Sequence, residues 1–304
     1  MKKITYNAPL GRVSGLFPAP GVNLLWENPC PWDGKGWNNP GGDRVWISPE
    51  AELFFTEPSK GWSSYRVPAS VDPGQWVLQE NKDGSAEFRN RGECFCYSAG
   101  EKFSFELRQT IIPAETPGFD IPEGLAFAGY TKLVTLQVGG TFKNGKYPMI
   151  WNLLQVSPGG RIYVPDTEPC SYFGKPQWFR QQGCLVMPVP APEVSCKLGI
   201  TSEKSRGIMV YIKDCGRDAA LVFRSFMPAE KCFDMPWGGG ICCPQQLFAD
   251  DGSSGGFGEM EHHSEPVDPG NGCTGDKSFT GAFSGRKEAC FELLSTFIRK
   301  GLDL

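Results

Sequence analysis

Thirty-eight glycines and twenty-six prolines interrupt this 304-residue chain, and that punctuation confines it to short elements. Between the breaks the segments are rich in Val, Ile, Phe, Tyr, Trp and Thr, side chains that suit a pleated, half-buried surface. The texture is that of a β protein. Residues 76–90, WVLQENKDGSAEFRN, predict a hairpin turning at Asp83 and Gly84 as a type I′ turn with positive φ. Phe103, Phe105 and Leu107 alternate with Ser104, Glu106 and Arg108, which predicts one dry and one wet strand face. Residues 132–138 alternate likewise, with Val134, Leu136 and Val138 opposed to Leu133, Thr135 and Gln137. Residues 149–156 and 161–164 flank a tight SPGG turn, and residues 208–213 and 220–226 flank DCGRD as a further hairpin. About fifteen short strands in one continuous pattern predict a single large antiparallel sandwich over residues 1–304.

One segment departs from the period of two. In residues 285–302, Cys290, Phe291, Leu294, Phe297, Ile298 and Leu302 recur at helical spacing, with Glu288, Glu292, Arg299 and Lys300 on the remaining arc. Acids early and bases late also suit the helix dipole. The expectation is a C-terminal amphipathic helix packed on a sheet.

Composition excludes several classes of partner. A formal charge of -4 without any basic run gives no electrostatic support for nucleic acid or an anionic membrane. The N-terminal MKKITYNAPLGRV lacks the apolar region of a secretory signal. No segment approaches the ~20 apolar residues that span a bilayer. A soluble, cytoplasmic protein without a cofactor is expected. The twelve cysteines follow no regular spacing. Cys94/Cys96, Cys242/Cys243 and Cys232 match no paired zinc-ligand pattern, so most are read as buried thiols.

Both histidines of the chain lie in GEMEHHSEP, residues 258–266. An extended backbone puts Glu259, Glu261 and His263 on one face and Met260 and His262 on the other. That face has the groups for proton chemistry, for binding sugar hydroxyls or for holding a metal, and it equally describes a polar strand edge in water. Asp250, Asp251 or Asp268 would have to complete a metal site from loops. Successive same-face residues lie ~6.5–7 Å apart, wide for ligands of one ion, and no metal is expected.

Four motifs carry a resemblance. GGDRVWISPE (residues 41–50), WNLLQVSPGGRIYVP (151–165), KLGI (197–200) with the two strands after it, and GEMEHHSEPVDPG (258–270) resemble, in order, successive segments of uncharacterised-domain branches of the galactose mutarotase-like superfamily, related to aldose 1-epimerases. The resemblance spans about residues 40 to 270. It implies an all-β, large antiparallel β-supersandwich and a carbohydrate ligand. It also implies epimerase-type chemistry, in which a late-strand Glu takes the proton of the anomeric hydroxyl and a His protonates the ring oxygen. Matching MEHH to the family's late strand carries the base onto Glu261. The family's central His has no counterpart, since Trp151, Asn152, Leu153 and Leu154 occupy that strand. A base without its acid forfeits roughly 10²–10⁴ in rate. His263 shares the face of Glu261, though ~6–7 Å along the strand, and is the other catalytic candidate.

The expected substrate-binding set is Arg44, Glu50, Trp151, Asn152, Lys197, Arg224 and Glu259. Arg44 has a fork for two sugar oxygens, or for Asp43 or Glu50. Glu50 and Glu52 are read on one strand face. Trp151 offers an apolar platform or a core filler. Lys197 and Arg224 sit in otherwise apolar strands and need a partner such as Glu259 or Glu261. A carbohydrate-binding protein with epimerase activity is the leading reading. A non-catalytic carbohydrate-binding module and a metal-dependent sugar isomerase or lyase are its rivals.

Overall fold

A computed structural model of the chain describes residues 3–30, 37–140, 142, 145–165, 167–234 and 242–300. Its strands, in chain order, begin with β1 (Ile4–Asn7), β2 (Arg12–Leu16), β3 (Asp43–Ser48), β4 (Val77–Glu80), β5 (Ala86–Cys96) and β6 (Glu101–Ala114). They continue with β7 (Ala126–Gly139), β8 (Met149–Val156), β9 (Gly160–Pro165), β10 (Cys170–Phe173), β11 (Phe179–Gln181) and β12 (Cys184–Val189). The last six are β13 (Cys196–Ile200), β14 (Ile208–Cys215), β15 (Asp218–Phe226), β16 (Gln245–Ala249), β17 (Gly258–His263) and β18 (Cys273–Arg286). A short helix α1 (Glu50–Leu53) follows β3, and α2 (Lys287–Lys300) ends the described chain.

These strands make two large antiparallel sheets. The eight-stranded sheet runs β1-β2-β3-β8-β17-β16-β13-β10, and the ten-stranded sheet runs β11-β12-β9-β14-β15-β18-β7-β6-β5-β4. Leu154, Leu198, Leu247 and Met260 of the first meet Ile162, Met209, Val222 and Ala282 of the second in one buried cluster. The predicted alternation of β6 holds, with Phe103, Phe105, Leu107 and Ile111 buried between exposed or half-buried neighbours. The SPGG turn carries the chain from one sheet to the other, because β8 pairs with β3 and β17 while β9 pairs with β12 and β14.

The first hairpin is where predicted, but its turn differs. Gly84 alone takes positive φ (83°), and Asp83 does not. The Asp83 carboxylate instead accepts the Ser85 amide at 3.0 Å, and Gly84 N donates to Asn81 O at 3.1 Å. The Asp side chain thus replaces a backbone turn, which removes the need for a left-handed residue at its own position.

Helix α2 covers the outer face of β14, β15 and β18. Cys290, Leu293, Leu294 and Phe297 are buried against Val210, Leu221, Phe223 and Phe283, and Phe297 stacks on Phe223 with centroids 4.1 Å apart. Leu302 lies outside the described residues. Seven of the described cysteines are buried. No described helix is long and apolar enough to cross a membrane.

Lys132 shares the dry face of β7 with Val134 and Leu136 and is fully buried there. Its Nζ donates to Asp43 Oδ1 at 2.9 Å, while Tyr130 OH donates to Asp43 Oδ2 at 2.5 Å. Arg224 of β15 also pairs with Asp43 and reaches Thr280 Oγ1 at 3.1 Å. Burial by itself pushes the Asp43 carboxyl up, and the charges of Arg224 and Lys132 outweigh it and hold it at about 2. This ion cluster ties the eight-stranded sheet to the ten-stranded one across the core.

Candidate functional site

The outward face of the eight-stranded sheet, away from the shared core, carries a polar floor. Strand pairing places Arg44 (β3), Leu153 (β8), Glu261 (β17), Gln246 (β16) and Gly199 (β13) side by side in one row. The next row holds Gln155, Glu259, Phe248 and Lys197, and the row on the other side holds Trp46, Trp151 and His263. Alternation therefore groups Glu259, Glu261 and His263 as expected. Met260 turns into the core, and His262 meets Asp276 on β18 at 3.0 Å and stacks on Phe226 at 4.1 Å.

Charges of opposite sign pair across this floor. Arg44 Nη2 donates to Glu259 Oε1 at 2.8 Å, although 215 residues separate them. Gln155 Nε2 donates to the same carboxylate oxygen at 2.8 Å. The Arg44 guanidinium also lies 4.3 Å above the Trp46 ring and 5.3 Å from that of Trp37, which adds cation–π attraction. Lys197 Nζ stands 3.0 Å from Glu261 Oε2 and 3.6 Å from Glu50 Oε2, and 4.5 Å from the Trp151 ring. Trp151 Nε1 donates to Glu261 Oε2 at 2.8 Å, so this tryptophan serves as a hydrogen-bond donor as well as a platform.

Glu50 arrives from outside the sheet. It was read on a strand, but residues 50–53 form the single turn α1, so Glu50 leans over the floor while Glu52 turns to Lys146 and Ser98. Asp234 accepts the Glu50 amide at 2.8 Å, and Tyr65 OH donates to Glu50 Oε1 at 3.0 Å. Asp234 also accepts from Gln246 Nε2 at 2.7 Å and lies 3.7 Å from His263 Nε2. Gly199 has a structural reason to be glycine: a Cβ there would come within 2.3 Å of the Tyr172 ring, which packs over the sheet 5.7 Å from Lys197.

Burial sets the proton affinities of this cluster. It lifts Glu261 to about 7, against the opposing pull of Lys197, and it raises Glu50 as well. For Lys197 burial pulls down, but Glu261 and Glu50 outweigh it and the net shift is upward. Burial drives His263 down to about 3, so its ring is neutral near pH 7, with Nδ1 2.9 Å from Ser48 Oγ. A carboxyl near 7 has the affinity of an efficient general base at neutral pH. Several buried polar atoms lack a hydrogen-bond partner: Arg44 Nε and Nη1, Glu261 Oε1, His263 Nε2, Gln155 Oε1 and Gln246 Oε1. Such a concentration is costly in a folded protein and calls for an explanation.

Two expected members are elsewhere. Asn152 points through the sheet and donates to Asp276 Oδ2 at 3.0 Å, because it sits one residue out of phase with Trp151 and Leu153. Arg224 belongs to the ten-stranded sheet and is consumed by Asp43. Tyr65, Asp234, Gln155 and Gln246 were not anticipated. The alternation of β8 and β16 could have flagged the two glutamines, but Tyr65 and Asp234 lie outside regular strands, where no period marks a face. Among the described residues no three His, Cys, Asp or Glu side chains gather in a way that could hold a metal ion.

A cavity of about 720 Å³ opens beside this floor, not over Glu261, with Trp37, Tyr65 and Asp72 among its walls.

No protein-family model matches the sequence, and no curated protein matches it. Among solved structures, a protein provisionally assigned as an aldose 1-epimerase from Escherichia coli K12 superimposes with a TM-score of 0.52 at 12% identity, covering 92% of this chain and 94% of its own. Another protein with the same provisional assignment, from Klebsiella pneumoniae subsp. pneumoniae MGH 78578, gives a TM-score of 0.36 at 7% identity over 75% of this chain and 58% of its own. The first of these, together with the two antiparallel sheets and their terminal helix, shows that the chain has the galactose mutarotase-like fold.

Proposed function

We propose that residues 1–304 act as one carbohydrate-binding domain, cytoplasmic in location, that receives a sugar on the polar floor and interconverts its anomers with Glu261 as general base. The observation that carries this reading is the convergence of Arg44 and Lys197 with Glu50, Glu259 and Glu261 on one sheet face. Cations and carboxylates in alternation suit a ligand whose every hydroxyl is both donor and acceptor. The unpartnered atoms of Arg44 and Glu261 are then the ones a sugar would satisfy.

In this reading the Glu261 carboxylate takes the proton of the anomeric hydroxyl, the bond from the anomeric carbon to the ring oxygen breaks, and the ring oxygen takes up a proton. The open-chain aldehyde turns about its first carbon–carbon bond and recloses on the other face, and each proton returns. Glu50 is the proton donor that fits best, since burial raises its carboxyl while His263 stays neutral. His263 instead orients Ser48 and borders Asp234.

A second reading, a non-catalytic carbohydrate binder, draws on the 1% exposure of Glu261 and its ties to Lys197 and Trp151. Anomer exchange of freshly dissolved α-glucose or α-galactose, followed by NMR, separates the two. A rate above the spontaneous one supports the isomerase. Perturbed sugar signals at the spontaneous rate support the binder, and unperturbed signals refute both.

A further inference from the structure

The cavity beside the floor has its own chemistry. Trp37, Asn38, Tyr65, Arg66, Val67 and Asp72 are among the residues that line it, so two aromatic rings stand with an amide, a guanidinium and a carboxylate whose Oδ2 Arg12 pairs at 2.7 Å. At about 720 Å³ it falls in the middle of the range for small-molecule sites, ~300–1,000 Å³. Asp72 Oδ1 and Trp37 Nε1 are buried without partners. Polar donors and acceptors beside aromatic walls match a pyranose, whose hydroxyls lie around its rim and whose C–H groups form its faces.

Three contacts join the cavity to the floor. Tyr65 OH donates to Glu50 at 3.0 Å. Trp37 lies 5.3 Å from the Arg44 guanidinium. Asp72 Oδ2 accepts from Trp46 Nε1 at 3.0 Å, and the other side of Trp46 faces Arg44. Unsatisfied polar atoms therefore occur in two adjoining places, on the floor and in the cavity wall, and one monosaccharide does not fill both.

We infer that the ligand is a reducing disaccharide, with its non-reducing ring in the Trp37–Tyr65 cavity and its reducing ring on the Arg44–Glu50–Glu261 floor. This rests on the carbohydrate reading given above and extends it to a second subsite. The second ring accounts for the aromatic walls, and the orphaned Asp72 Oδ1 accepts one of its hydroxyls. Tyr65, bonded to Glu50 and forming a cavity wall, marks the junction between the two rings.

Calorimetric titration of the full chain with glucose, galactose, maltose, lactose and cellobiose tests it. A disaccharide that gains the second ring's stacking binds about tenfold or more tightly than either monosaccharide. Ala69→Trp fills the cavity from a position with no contact to the floor, and it removes that advantage while leaving monosaccharide affinity within about twofold. Trp37→Ala is the complementary variant, and circular dichroism of both verifies folding. Equal affinity for mono- and disaccharides, or an Ala69→Trp protein that keeps the disaccharide advantage, overturns the second subsite and leaves the floor reading intact. Absence of binding by all five sugars overturns both.

Discussion

Lys197 Nζ and Glu261 Oε2 lie 3.0 Å apart, with side chains 4% and 1% exposed, on strands that are separated by β16 in the sheet. Neither charge has access to bulk water, so each depends on the other. Breaking a buried pair by removing one partner costs about 3–5 kcal/mol, whereas replacing both by packed apolar groups is often near neutral. Lys197→Met is expected to destabilise by that amount in urea unfolding at pH 7.5, and the double variant Lys197→Met/Glu261→Leu to recover most of it. Equal losses in the single and double variants would show that the pair is not coupled.

Glu261 also predicts a pH signature. Its carboxyl stands at about 7 in the fold against 4.5 for a free one, so between those values the folded state holds more proton than the unfolded. Stability from this group is full below about 4.5 and declines as pH rises through about 7. His263 works in the opposite sense: at about 3 against 6.5, it withdraws stability as pH falls from 6.5. The two slopes oppose each other in the overlap. Comparing wild type with Glu261→Gln isolates the carboxyl: wild type should lose about 3 kcal/mol relative to the variant between pH 4.5 and 7. A pH-independent difference would contradict the raised carboxyl.

If Glu261 is the base, Glu261→Gln should lower the catalysed anomer exchange about 10²–10⁴-fold. Arg44→Ala should chiefly weaken sugar binding, because its fork positions hydroxyls and moves no proton. Saturation-transfer kinetics give kcat and KM separately. A Glu261→Gln enzyme with undiminished kcat would move the base to another residue.

The inter-sheet cluster makes a different demand. Asp43→Ala leaves Lys132 and Arg224 buried without their carboxylate, and a loss of about 3–5 kcal/mol is expected. A thermal melt with a Tm within about 1 °C of wild type, less than ~1 kcal/mol for a chain of this size, would refute it.

Phe297→Ala should cost about 3–5 kcal/mol, since its ring is fully buried on Phe223. Glu292→Ala, exposed on the same helix, is the control and should change stability by less than about 0.5 kcal/mol. Urea midpoints for the two variants decide whether α2 is part of the packed unit.

Local pattern reached far in this chain. The alternation in residues 258–263 was enough to group Glu259, Glu261 and His263, and the helical spacing in residues 285–302 marked α2. Lys197 needed a carboxylate because its strand is otherwise apolar, and Glu261 met that need. Asn152 and Arg224 misled for a shared reason. Each is a polar residue in an apolar strand, and such a residue signals that a partner exists without saying on which side of the sheet it lies. Glu50 misled because four residues after a proline are too few to show any period.

Fold class, the faces of the long strands and the amphipathic terminal helix follow from the order of residues alone, since side-chain direction repeats every two or every 3.6 positions. Which strands become neighbours does not follow from that order. The placement of Arg44 against Glu259, the capping of Glu50 by Asp234 and the diversion of Arg224 to Asp43 depend on sheet order and on the crossing of the chain between sheets. Those are settled by how all the apolar faces are buried at once, and no local period encodes that.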